Sequence, residues 1–130
     1  MKIEHIAFNV ADPTAVAAWY GEHLGLEIVR HLPSPTQTHF LADDAGQTVI
    51  EIYRNPPDEI PDYAAMNPLR FHLAFVSESP ADDSARLVDK GASFVDELKF
   101  PDGSHLIMLR DPWGVPLQLC KRVTPLVSRA

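Results

Sequence analysis

The chain repeats itself. The tetrapeptide His5-Ile6-Ala7-Phe8 returns as His72-Leu73-Ala74-Phe75, an offset of 67 positions. Asp12-Pro13 returns as Ser79-Pro80, Asp44 as Asp111, and Ile50-Glu51-Ile52 as Leu117-Gln118-Leu119, all at that offset. Gly25 and Gly91 depart from it by one. Several landmarks sharing one period are the mark of a duplicated structural unit, and they constrain the fold more than any single motif. The 130 residues then form one domain, 1–130, built from a first module (3–54), a connector (55–69), a second module (70–121) and a loose tail (122–130). The connector is assigned from Pro56, Pro57, Pro61 and Pro68, which interrupt both helix and strand.

Within each copy the hydrophobic period changes from two to helical. Segment 3–10 alternates, with Ile6, Phe8 and Val10 on one side and Ile3, His5, Ala7 and Asn9 on the other. Asp12-Pro13 opens a helix that Gly25 ends. Strands are expected near 26–32, 37–43 and 47–54. The second copy reads as a strand at 71–76, a helix from Ser79-Pro80 to Gly91, and strands near 92–99, 104–110 and 115–121. The expected fold is α+β: two βαβββ modules whose curved mixed sheets enclose a cleft.

Composition removes several functions. Eleven Lys+Arg against eighteen Asp+Glu leave a net charge of -7, and Lys121-Arg122 is the nearest approach to a basic cluster, so nucleic acid is not an expected partner. No apolar run approaches the roughly 20 residues that span a bilayer. Glu4, His5 and Asp12 near the start argue against a secretory signal. One cysteine, Cys120, makes no internal disulfide, and a cytoplasmic location is expected.

Alternation divides the residues of each module between two sheet faces. Ile6, Phe8, Ile50 and Ile52 are expected under the first helix, and Leu73, Phe75, Leu117 and Leu119 under the second. The opposite faces carry His5, Ala7, Asn9, Val49, Glu51 and Tyr53 in one copy, and His72, Ala74, Val76, Pro116, Gln118 and Cys120 in the other. Two sheets related by a pseudo-twofold axis would bring His5, Glu51, His72 and Gln118 together. Two imidazoles, a carboxylate and an amide oxygen make a plausible shell for a divalent ion, with positions left for water or substrate. Ala7 and Ala74 leave room beside the histidines.

These features resemble the vicinal oxygen chelate superfamily, the glyoxalase/bleomycin-resistance/dioxygenase fold, over about residues 3–121. The opening Ile-Glu-His-Ile-Ala-Phe-Asn-Val, the helix end Trp19-Tyr20-Gly21-Glu22-His23-Leu24-Gly25-Leu26 and the closing Arg110-Asp111-Pro112-Trp113-Gly114 carry the resemblance. It implies paired βαβββ modules, usually a homodimer, and a divalent metal (Ni, Zn, Co, Mn or Fe) held by His5, Glu51, His72 and Gln118. Modules could pair within one chain or across a dimer. The ligand set is most similar to that of glyoxalase I, with one departure: Gln118 stands where that enzyme has the Glu that serves as its base. An amide cannot take a proton, so Glu51 becomes the candidate base. Asn55 looks like the glutathione-contacting Asn of glyoxalase I. Asn9 stands where an Arg is expected, and Arg70 falls off the spacing of another. With Tyr53 and His39, these are the candidate substrate contacts.

Two functions are compatible with this pattern. One is a metal-dependent lyase or isomerase that moves a proton on a small carbonyl or hydroxy-carbonyl substrate. The other is a non-catalytic small-molecule binder of the bleomycin-resistance type. Elsewhere His23 reads as helix surface, His31 and His105 as strand-edge residues, and Trp19 and Trp113 as packing.

Overall fold

The computed structural model describes residues 1–127, so the last three residues of the expected tail lie outside the described residues. The chain divides into two compact units, Met1–Pro61 and a second from Asp62 onward. Each contains one βαβββ module.

In the first unit β1 (Ile6–Asn9) leads into α1 (Pro13–Leu24), then β2 (Glu27–His31), β3 (His39–Ala42) and β4 (Val49–Tyr53). The second unit repeats the order with β5 (Leu73–Val76), α2 (Pro80–Asp89), β6 (Ser93–Lys99), β7 (His105–Arg110) and β8 (Pro116–Lys121). Strand order is β1-β4-β3-β2 in one sheet and β5-β8-β7-β6 in the other. In both, the first strand pairs parallel with the last and the remaining pairs are antiparallel. The expected pair of mixed-sheet α+β modules is what forms.

Both helices start as their sequences predict. The Asp12 carboxylate accepts from the Ala15 N–H at 3.1 Å and the Ser79 hydroxyl from the Asp82 N–H at 3.4 Å, with Pro13 and Pro80 in the first turn. Such caps satisfy otherwise orphaned amides and stabilise by about 1 kcal/mol each. Gly25 closes α1 in the left-handed region at φ 72°, where a glycine carries no Cβ penalty. α1 lies on β2, β3 and β4, and α2 on β6, β7 and β8. Under α1 the core is Phe8, Val16, Tyr20, Leu41, Ile50 and Ile52, and under α2 it is Leu87, Leu109, Leu117 and Leu119. Full burial of a Leu41 or an Ile52 contributes about 1.5–3 kcal/mol.

Three expectations need correction. Ile6 is 46 % exposed instead of buried, because it is the first residue of an edge strand. The counterpart of Asp111 is Asp43, not Asp44. The loop from Ala42 to Val49 is one residue longer than that from Arg110 to Pro116, and Asp43 Oδ1 accepts from Gln47 and Thr48 N–H as Asp111 Oδ1 accepts from Trp113 and Val115 N–H. Finally, the connector holds one 3-10 turn, Tyr63–Ala65, capped by the Asp62 carboxylate, which accepts from the Ala65 N–H. Among the described residues no helix is long and apolar enough to cross a membrane.

Candidate functional site

Sheet pairing arranges the face not covered by a helix into rows of side chains, because residues paired across strands project to the same side. In the first unit one row runs Ala7, Glu51, Phe40, Arg30. His5 immediately precedes β1 and reaches this row: its Nε2 lies 3.6 Å from Glu51 Oε1, and its ring meets Phe40 edge-on at 5.9 Å. Its Nδ1 is 2.9 Å from Glu4 Oε1. Arg30 lies over the other side of the row, with its guanidinium carbon 5.9 Å from the Phe40 ring centre. This unit therefore holds an imidazole and a carboxylate side by side on an open face.

The equivalent row of the second unit runs Ala74, Gln118, Met108, Asp96. His72 precedes β5 as His5 precedes β1. Its Nδ1 is 2.9 Å from the Pro68 carbonyl, which can only accept, so the neutral ring carries its proton on Nδ1 and leaves the Nε2 lone pair for a ligand. Gln118 Oε1 accepts from the Cys120 thiol at 3.3 Å. Burial pushes that thiol up from its ordinary pKa, with Arg122 opposing the shift. A cavity of about 210 Å3 opens on this face beside Gln118, Met108, Leu106 and Asp96.

The substrate contacts expected from sequence are dispersed. Asn9 is engaged by its own loop: its side-chain amide donates to the Pro56 carbonyl at 2.8 Å, and its oxygen accepts from the Asn55 N–H at 2.7 Å. Asn55 is thus tied to Asn9 through its backbone. Tyr53 shares the face of Glu51 by alternation and is half-buried. Arg70 is exposed at the end of the turn closed by its N–H to the Asn67 carbonyl. His39 pairs with Ile52 on the helix-covered face, is 4 % exposed, stacks on His31 at 4.2 Å and bonds the Gln37 carbonyl at 2.7 Å. Among the described residues no group of three or more His, Cys, Asp or Glu side chains forms a metal cage. The candidate donors instead occur as His5 with Glu51 in one unit and as His72 and Gln118 in the other.

One residue escaped the sequence reading. Arg110 donates from Nη1 to the carbonyls of Tyr63 and Gly114 at 2.7 and 3.1 Å, and from Nη2 to that of Met66 at 2.7 Å. It thereby fastens the segment 63–66, which leads directly into the Asn67–Leu69 wall of the cavity. The only signal was an Arg in the closing Arg-Asp-Pro-Trp-Gly motif, with no hint of its partners.

Residues 2–119 match the family model described as the Glyoxalase/Bleomycin resistance protein/Dioxygenase superfamily. No curated protein matches the chain. Similar solved structures include a glyoxalase family protein from Bacillus cereus, 17 % identical with a TM-score of 0.76, covering 92 % of this chain and 93 % of that one. The antibiotic binding protein TnmS3 from Streptomyces sp. CB03234 is 20 % identical with a TM-score of 0.68, over 92 % and 97 %. Lactoylglutathione lyase from Agrobacterium tumefaciens is 23 % identical with a TM-score of 0.66, over 91 % of each chain.

Proposed function

Because the chain belongs to the glyoxalase/bleomycin resistance protein/dioxygenase superfamily, we propose that it is a metal-assisted lyase or isomerase acting on a small carbonyl or hydroxy-carbonyl substrate. The observation that carries this reading is the 3.6 Å separation of His5 Nε2 and Glu51 Oε1 on the open face of the first sheet. Two donors bonded to one ion at about 2.0–2.2 Å lie roughly 3.0–3.5 Å apart, so this pair fits with little movement. His72 adds a nitrogen whose tautomer the Pro68 carbonyl orients, the arrangement that ligating histidines commonly use. Gln118 supplies an uncharged oxygen. A bound divalent ion would polarise a substrate oxygen as a Lewis acid. Glu51, the carboxylate of the set, moves the proton.

Elemental analysis of protein purified without chelator, then reconstituted with Ni, Co, Zn, Mn or Fe, tests the proposal. About one ion per chain is expected, lost in Glu51→Ala and His5→Ala. Failure of every ion to bind would overturn it.

The cavity in the second unit favours a second reading, a non-catalytic small-molecule binder, and one similar structure is described as an antibiotic binding protein. Binding of a small molecule with no turnover, unaltered by metal, separates it from the first.

A further inference from the structure

The cavity on the second sheet has a chemical polarity of its own. Its floor is the row Gln118, Met108, Asp96, with Leu106 and Leu98 in the adjacent row. Neighbouring strands are about 4.8 Å apart, so Gln118 and Asp96, two strands apart, stand roughly 10 Å from each other across the thioether of Met108. Gln118 offers an amide N–H at one end. At the other, Asp96 Oδ1 accepts from the Glu97 N–H at 2.8 Å, leaving Oδ2 without a protein partner among the described residues. Although Glu97 also borders the space, its carboxylate is bonded to His105 Nε2 at 2.7 Å on the opposite face. Among the residues lining the cavity, Asp96 is consequently the one carboxylate not bonded to another side chain, and no lysine or arginine lines the space. Arg110, one row beyond Met108 on the same face, spends its guanidinium on the carbonyls of Tyr63, Met66 and Gly114.

A β-bulge delivers this carboxylate. Pairing in β6 shifts between Phe94 and Asp96, so Val95 is the extra residue and joins Asp96 at the cavity. The first unit carries the same shift between Ile28 and Arg30 in β2, and its row ends in Arg30. The two copies therefore place opposite charges at corresponding row ends.

We propose that this cavity selects a small cationic ligand: an amine attached to an apolar body, with the ammonium toward Asp96, the body over Met108 and Leu106, and any acceptor toward Gln118. The proposal rests on the reading that the open sheet faces hold a small molecule, and it requires no metal. A volume near 210 Å3 is that of about seven waters at roughly 30 Å3 each, enough for a single substituted ring. A singly charged carboxylate facing apolar walls favours a cation through a charge-assisted hydrogen bond and repels an anion of equal size.

The probes are benzylamine, benzyl alcohol and benzoate at pH 7 in the presence of EDTA, with affinity measured by calorimetry and placement by the Met108 methyl resonance. Benzylamine is expected to bind and to shift the Met108 signal, benzyl alcohol to bind at least about tenfold more weakly, and benzoate more weakly still. Asp96→Asn should abolish the preference for the amine while leaving the neutral probe unchanged, and Leu106→Trp should block all three. Equal or tighter binding of benzoate, an amine preference that survives Asp96→Asn, or no binding of benzylamine to the folded wild-type protein would each overturn the proposal. Loss of metal binding in Glu51→Ala is a separate measurement, so either reading can fail while the other stands.

Discussion

The Nη2 of Arg110 donates to the backbone carbonyl of Met66 at 2.7 Å, across 44 residues of sequence. Together with the bonds from Nη1 to Tyr63 and Gly114, it ties the segment 63–66 to the β7–β8 turn. A guanidinium suits this task because its planar fork serves several carbonyls at once.

Removing that fork is costly. Arg110→Ala is expected to lower the free energy of unfolding by about 2–4 kcal/mol, since several hydrogen bonds from a charged donor are lost. Arg110→Lys should recover less than half of it, because an ammonium is a point donor. Urea unfolding measures both. A cost below about 0.5 kcal/mol for the Ala variant would show that water replaces the clamp at no penalty.

Two turn glycines should differ sharply. Gly114 has φ +92° and a Cβ added there would lie 2.7 Å from the Ala64 backbone nitrogen, whereas Gly46 has φ +66° and open space around it. Gly114→Ala is expected to cost about 2–5 kcal/mol through backbone strain plus collision, and Gly46→Ala about 1–2 kcal/mol through strain alone. Thermal unfolding of the pair checks this. Equal losses would mean that segment 63–66 moves aside freely.

Acid should destabilise the first unit through His39. Burial holds its imidazole below the usual histidine pKa of 6.5, assisted by nearby His31, while the bond to the Gln37 carbonyl opposes the shift. The unfolded chain therefore takes up a proton before the folded one does. Stability is full above about pH 6.5 and declines as pH falls below that value toward the lowered folded pKa. Comparing unfolding at pH 7.5 and 5.5 for the wild type and His39→Gln tests it; the variant should lose less stability between the two pH values. Identical pH dependence would assign the effect to other groups.

Gln118 bears on catalysis. If the proposed reaction runs through the four-ligand set, Gln118→Glu supplies a second carboxylate at the position equivalent to Glu51. Turnover of methylglyoxal with glutathione is expected to rise at least about tenfold in the variant, the lower range of a positioned acid–base group. An inactive variant that still binds metal would exclude that hemithioacetal as substrate.

Much of the fold is legible in the sequence. Asp12-Pro13, Ser79-Pro80 and Gly25 act through local hydrogen bonds and φ preferences, so their sequence neighbours suffice to place the helix ends. Alternation correctly put Phe8, Ile50 and Ile52 under one helix and Leu117 and Leu119 under the other. Asn9 was legible as a residue of the open sheet face but not as a loop anchor, because the carbonyl of Pro56 comes within 2.8 Å of it only through the return of a proline-rich connector. His39 illustrates the same limit: an isolated histidine carries no periodic signal that distinguishes a substrate contact from a buried ring stacked on His31.

The 67-residue period alone established the duplication, the module type and the pairs His5/His72 and Glu51/Gln118. Only tertiary structure decided which other residues share their rows. Phe40 corresponds to Met108 at an offset of 68 and Arg30 to Asp96 at 66, because α1 is longer than α2, the β3–β4 loop is longer than the β7–β8 loop, and both bulges are retained. Strand register is set by backbone hydrogen bonds between segments distant in sequence, and each local change in length shifts it by a whole residue. A single period therefore reveals the two copies, while sheet pairing alone sets Arg30 at the end of one row and Asp96 at the end of the other.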